Sequence, residues 1–377
     1  MKPHRCFAII VVVATFALGS CARKTAQPPR SFAYVANAKG NSVSVIDLLD
    51  LRVIATLPAG SDPTGLTVNP VNNEVYAVST GSGFVTVIDA AKNRVLGTMP
   101  TGRTPYFISV SEDGKRGYVA NSDSNTVSIL NLERHTAIAQ VSVGVHPGIA
   151  RVAPDGKTVV TVNRDSNNVS VIDAERGQVR STLPVCATPE DVAILPDSSK
   201  AFVSCSGSHQ VAAIDLKRDR VLSLLRVGGT PVSLTLKPDG GELFVSNFEA
   251  QSISVINTSA DEVEETFLAG ELPVRSLVAG DNATLFVSNF RASDVAVFDI
   301  TTRRHLVSVA AGDGPDALAL SPTENMLLVA NSRSGDVAVI RLDKRNDKKI
   351  TAPPQRLFTM IPVGADPVQI VVKSPKS

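Results

Sequence analysis

The sequence predicts an all-β ring of eight four-stranded antiparallel units, a β-propeller, and three observations predict it. Pro63, Pro105, Pro147, Pro189, Pro231, Pro273 and Pro315 stand 42 residues apart, and an eighth, Pro367, follows after 52. Asn37, Asn121, Asn163, Asn247, Asn289 and Asn331 share that frame, with Ser79 and Cys205 in the two remaining slots. Between these markers apolar residues alternate with period two, and no long helix-period segment interrupts them.

Each repeat contains four strand-like runs. The first follows the proline ("PTGLTVNP") and the second ends at the asparagine slot ("EVYAVS"); turns such as "EDGK", "PDGK" and "PDGG" join the two as a hairpin. The third run is of the "VSVID" type. Val43, Val85, Val127, Val169, Val211, Ile253, Val295 and Val337 are β-branched, and a small residue follows each: Ser44, Thr86, Ser128, Ser170, Ala212, Ser254, Ala296 and Ala338. β-Branched residues suit strands, and a large face opposed to a small one lets sheets nest. The fourth run is of the "RVLGTMP" type. Four strands of about five residues with short turns account for the whole period.

The phase of the ends predicts closure. The repeats begin at Ser31 on an asparagine-type second strand and end on a spare proline strand, "PVQIVVK", from Pro367 to Lys373. Three N-terminal strands and one C-terminal strand then make one blade, which hides both sheet edges. An asparagine ending a strand can take a left-handed backbone and bond the following turn. Six copies around a ring cannot address one ligand, so the asparagine is expected to be architectural. The ten extra residues fall in "DKRNDKKITAPPQR", Asp343 to Arg356, a charged loop expected on the rim opposite the asparagines.

The N-terminus has another purpose. Two cations precede the apolar run "CFAIIVVVATFAL", which is short for a membrane span and has the layout of a secretory signal. It ends in "LGSC", which resembles the lipobox of bacterial lipoproteins. That resemblance implies a signal peptide over 1–20, acylation of Cys21, a lipidated tether over 21–30 and the propeller over 31–377. Ala22 after the cysteine implies outer-membrane sorting, so the protein is expected in the cell envelope, facing the periplasm, held to the membrane through lipid alone. The chain has 37 basic and 36 acidic residues, which argues against nucleic acid as a partner, and it has no Trp.

The repeated "YVAN…NSVSVID…P.G…V.P" pattern resembles the YVTN-type β-propeller family, related to lactonase-like propellers and to the haem domain of cytochrome cd-type nitrite reductase. The resemblance covers Ser31 to Lys373 and is specific for fold rather than for activity. Many such relatives have seven blades, whereas eight units are counted here. The family also implies that prolines and asparagines share one rim of a central channel.

Function is expected where the repeat breaks on that rim. Two residues beyond each proline stand Gly65, Phe107, Ile149, Asp191, Ser233, Arg275, Ala317 and Gln369, of which only Asp191 and Arg275 are charged; Glu190 and Asp316 add charge one position earlier. Phe248, Phe290, Arg291 and Arg333 follow the asparagines of adjacent units. Arg275, Arg291 and Arg333, with Phe248 and Phe290, form a candidate patch for a small anionic ligand. The bland alternative packs the phenylalanines in loops and pairs arginine with Glu249 or Asp294. Asp191, Glu190 and His146 are the catalytic candidates, although no CxxC, CxxCH or HExxH motif is present, and no cofactor or metal is expected. The leading reading is therefore a monomeric, non-enzymatic module binding a ligand or an envelope protein. The alternative is a lactonase-like or haem-handling enzyme at the channel mouth.

Cys186 and Cys205 also break the frame. Cys186 replaces the glycine found at Gly60, Gly102, Gly144, Gly228, Gly270, Gly312 and Gly364, and Cys205 replaces the asparagine of the same blade. Two losses at one place in an exported protein predict a disulfide; free thiols beside His209, as a weak metal site, are the alternative.

Overall fold

Eight four-stranded antiparallel sheets close into a ring in the computed structural model, which describes residues 30–323, 325–342 and 356–376. The signal, Cys21, 22–29 of the tether and 343–355 of the long loop lie outside the described residues. Blade 1 is composite: Pro367–Lys373 pairs with Phe32–Asn37, followed by Ser42–Asp47 and Arg52–Pro58. Blades 2 to 8 start at the inner strands Pro63–Val68, Pro105–Val110, Pro147–Val152, Pro189–Ile194, Pro231–Leu236, Pro273–Val278 and Pro315–Leu320. The inner strands pack against one another around the channel. No helix among the described residues is long and apolar enough to cross a membrane.

The core lies between blades. Val160, Val162 and Val171 of blade 4 pack against Val192, Ile194 and Val203 of blade 5. The same nesting joins Tyr34 and Val45 of blade 1 to Leu66 and Val75 of blade 2, and Val35 and Ile370 of blade 1 to Leu328 and Val339 of blade 8. Tyr34, Tyr76, Tyr118, Phe202, Phe244 and Phe286, fully buried, occupy one column of the repeat. Each buried aromatic contributes about 2–3 kcal/mol of burial.

The asparagines are architectural, but not by the expected geometry. Asn121 has φ −112°, an extended conformation, and is fully buried. Its Oδ1 accepts from the Gly102 amide at 3.0 Å, and its Nδ2 donates to Thr126 Oγ1 and Ser128 Oγ at 3.0 and 2.9 Å. The side chain thus ties the linker from blade 2 to the second and third strands of blade 3. Asn37 bridges Gly364, Ser42 and Ser44 in the same way. A Cβ on Gly102 would lie 2.8 Å from the Asn121 side chain, which explains the glycine column. The left-handed residue comes four positions later, at Asn41, Asn125, Asn167 and His209 among others.

In blade 5 the clamp is covalent. Cys186 and Cys205 are joined by a disulfide, with Cα atoms 5.6 Å apart. The bond takes the place of the glycine–asparagine contact in a buried position.

Candidate functional site

Every inner strand carries a one-residue bulge just beyond its proline, as between Pro273 and Arg275 or Pro315 and Ala317. A bulge re-aims side chains locally. Here it lies where the inner strands enter the channel, at the end of each blade that holds the asparagine slot. The channel mouth is a cavity of about 560 Å³ lined by inner strands from all eight blades.

Its charged lining comprises Asp62, Arg151, Asp191, Arg275, Asp316 and Asp366. Asp191, 3% exposed, is saturated: Oδ1 accepts from Val192 N at 2.8 Å and Arg151 Nη2 at 3.2 Å, and Oδ2 accepts from Leu234 N at 3.1 Å. It braces blade 5 against blades 4 and 6. Asp366 pairs with Lys39 at 3.1 Å. Arg275 differs, because its guanidinium has no hydrogen bond or ion pair among the described residues, although it lines the cavity. Asp316, on the next blade, also lacks a direct partner there. Burial pushes its carboxyl up to about 6, with the Asp366 charge adding to that and the Arg275 charge opposing it.

Of the remaining catalytic candidates, Glu190 lies on the inner strand Pro189–Ile194 and His146 in the linker before Pro147. Glu190 accepts from Ser206 Oγ at 3.0 Å and meets Arg164 at 2.8 Å. The His146 Nδ1 meets Asp165 Oδ2, and its ring stands outside the cavity lining. His146 belongs to a column of left-handed residues before each proline that includes Asp62, Thr188 and Asp366. Its amide donates to Asn125 Oδ1 at 3.0 Å, as the Thr188 amide does to Asn167 Oδ1 at 2.9 Å. The turn thus accounts for its position. Of the three, Asp191 lines the cavity, while Glu190 and His146 are engaged with Arg164 and Asp165.

Arg291 and Arg333 lie in rim loops outside the cavity lining. Arg291 approaches Glu271 at 3.7 Å; Arg333 approaches Asp313 at 3.8 Å and stacks 4.5 Å over the Phe290 ring. Such stacking is worth about 0.5–1 kcal/mol at an exposed site. Phe248 is half-buried, and its neighbour Glu249 accepts from Thr230 Oγ1 at 2.7 Å. The five-residue patch thus divides: Arg275 faces the channel, while Arg291, Arg333, Phe248 and Phe290 build the rim. The loop partners are Glu271 and Asp313, not Glu249 or Asp294.

His209 Nδ1 accepts from the Thr230 amide at 3.0 Å, the role that asparagine Oδ1 plays elsewhere. With both nearby sulfurs in the disulfide, the alternative thiol–His209 metal site is excluded. No cluster of three or more His, Cys, Asp or Glu suited to a metal occurs among the described residues.

Arg151 was missed by attention to the position two beyond the proline. It stands four beyond Pro147, where the other repeats have Thr67, Ser109, Ala193, Thr235, Leu277, Ala319 and Val371. It is the single charge in that column, and the column comparison was sufficient to find it.

The ring and its polar mouth define a closed eight-bladed β-propeller with a cavity at one end of the channel. Residues 71–252 match the family model of the Choice-of-anchor I domain, and residues 275–352 match that of Lactonase, 7-bladed beta-propeller. Similar solved structures include the dihydro-heme d1 dehydrogenase NirN in complex with DHE, at 16% identity and TM-score 0.74, covering 90% of this chain and 74% of that one. AztD from Citrobacter koseri aligns at 15% identity and TM-score 0.68, covering 93% of this chain and all of that one (100%). Hydrazine synthase from Kuenenia stuttgartiensis aligns at 20% identity and TM-score 0.55, covering 81% and 88%. These likenesses establish the fold. No curated protein matches the chain in sequence.

Proposed function

We propose that the protein is a lipid-anchored binding module of the cell envelope, which takes a small ligand with an anionic group at the channel mouth. The observation that carries this reading is Arg275: a guanidinium lining a cavity of about 560 Å³ without a hydrogen bond or ion pair among the described residues. A guanidinium offers a carboxylate or phosphate two parallel hydrogen bonds, and a cavity of this size suits a small molecule. The anchor rests on the sequence "LGSC" at Leu18 to Cys21, and the Choice-of-anchor match is in keeping with a surface role.

Calorimetric titration with phosphate, succinate and citrate tests the site. Binding of at least one is expected to weaken tenfold or more in Arg275→Gln and to be unchanged in Lys157→Gln on the opposite rim. Equal loss in both variants would place the anion site elsewhere. For the anchor, Cys21→Ser is expected to release the protein into the soluble envelope fraction or leave it uncleaved. Correctly cleaved variant that still sediments with membranes would refute lipidation.

A hydrolase reading has one observation of its own. Asp316, with its carboxyl pushed up to about 6, can exchange a proton near neutral pH, and Arg275 next to it can stabilise an oxyanion. Both fall within the 275–352 lactonase match. Lactone turnover lost in Asp316→Asn would establish this reading over simple binding; absence of turnover across short- and long-chain lactones counts against it.

A further inference from the structure

We propose that the mouth selects a small zwitterion, one molecule whose carboxylate sits on Arg275 and whose ammonium sits on Asp316. This deepens the reading of Arg275 as an anion site and depends on it. The two side chains come from neighbouring inner strands, Pro273–Val278 and Pro315–Leu320, and both line the same cavity. They feel each other electrostatically, yet no ion pair joins them, and neither has another direct polar partner among the described residues.

The rest of the rim supplies the contrast. Opposed charges elsewhere are closed onto each other: Arg164 on Glu190 at 2.8 Å, Arg151 on Asp191 at 3.2 Å, Lys39 on Asp366 at 3.1 Å. Arg275 and Asp316, on the neighbouring inner strands Pro273–Val278 and Pro315–Leu320, form no such ion pair. Unlike charges left unjoined in a partly dehydrated mouth match a ligand with the complementary pair and penalise one with a single charge. An anion alone would meet Asp316, and Asp62 two blades beyond it, without compensation. A cation alone would leave the guanidinium of Arg275 unpaired. Tyr106, Phe107 and Ile149 line the same cavity and offer an apolar wall for the carbon chain that links the charges.

The test is calorimetric titration of the purified exported protein with ω-amino acids from glycine to 6-aminohexanoate. The matched controls are the fatty acids and the primary amines of the same chain length. At least one amino acid is expected to bind ten times more tightly than both of its singly charged analogues. Arg275→Gln should reduce that amino acid to the level of the amine, and Asp316→Asn to the level of the fatty acid. A fatty acid that binds as tightly as its amino acid, with loss in Arg275→Gln, would overturn the zwitterion and leave the anion site standing. Amino-acid binding that survives both substitutions would overturn the assignment of the site. If none of the three series binds, the zwitterion is wrong, and the phosphate and dicarboxylate titrations decide the broader reading independently.

Discussion

Asn121 shows how one side chain can hold three pieces of chain. Removing it leaves the Gly102 amide without its acceptor, and two hydroxyls, on Thr126 and Ser128, lose a donor. A buried group stripped of its partner costs about 1–3 kcal/mol. Asn121→Ala is therefore expected to lower stability by about that amount, read from the shift in urea midpoint at unchanged slope. Asp316 works in the other direction. Its folded-state carboxyl is raised from 3.8 to about 6, so the fold favours the protonated form. The unfavourable charge is fully present above pH 6 and fades as the pH falls towards 4. Asp316→Asn should thus stabilise the protein by about 1–3 kcal/mol at pH 7.5, with the gain vanishing near pH 4. A melting-temperature difference independent of pH would show that the charge is not its origin. The asparagine column and the charge at 316 were legible in the sequence. The burial that moves the Asp316 carboxyl was not, because it depends on groups brought in from the next blade.

Within a blade, the hairpin from the inner strand to the asparagine slot is the unit that must be pinned to its linker. Blade 5 does this with sulfur, closing a separation of 19 residues. Closing a loop of that length is worth about 3 kcal/mol in the chain-entropy picture. Reduction, or Cys186→Ala with Cys205→Ala, is expected to lower stability by up to that amount, and the unreduced, unfolded chain should show no thiol from Cys186 or Cys205. Restoring the repeat with Cys186→Gly and Cys205→Asn should recover part of the loss, because the noncovalent clamp returns. If the restored variant is no more stable than the double alanine, the glycine–asparagine pair is not the equivalent of the disulfide. This pairing was readable from two coincident breaks in a regular frame. The corresponding geometry of Arg291 and Arg333 was not, since loop side chains choose among several nearby acids.

At the scale of the ring, closure depends on one strand. Pro367–Lys373 pairs with Phe32–Asn37, and Ser31 Oγ meets Ser374 Oγ at 2.7 Å. Lys373, buried, donates to the Asn69 carbonyl on blade 2, and desolvation holds its ammonium below the usual range. Deleting 367–377 would open an edge along Phe32–Asn37 and remove the inner contact between blades 8 and 2. A broadened, non-cooperative thermal transition by circular dichroism is expected, with partial recovery when a peptide spanning 367–377 is added. A sharp, unchanged transition would mean that the ring does not need its last strand.

The period of 42, the alternation and the phase of the two ends determined the ring, its blade count and its composite blade, because each depends on local pattern repeated at fixed spacing. The disulfide was determined in the same way. The tertiary structure alone decided which charges are spent and which are free. Asp191 and Arg275 look equivalent in the repeat, yet the carboxylate of one is bound by two amides and a guanidinium while the guanidinium of the other has no hydrogen bond or ion pair among the described residues. That difference arises from side chains on different blades meeting across the channel, over separations in sequence of about 40 residues or more, where no local pattern reports who meets whom.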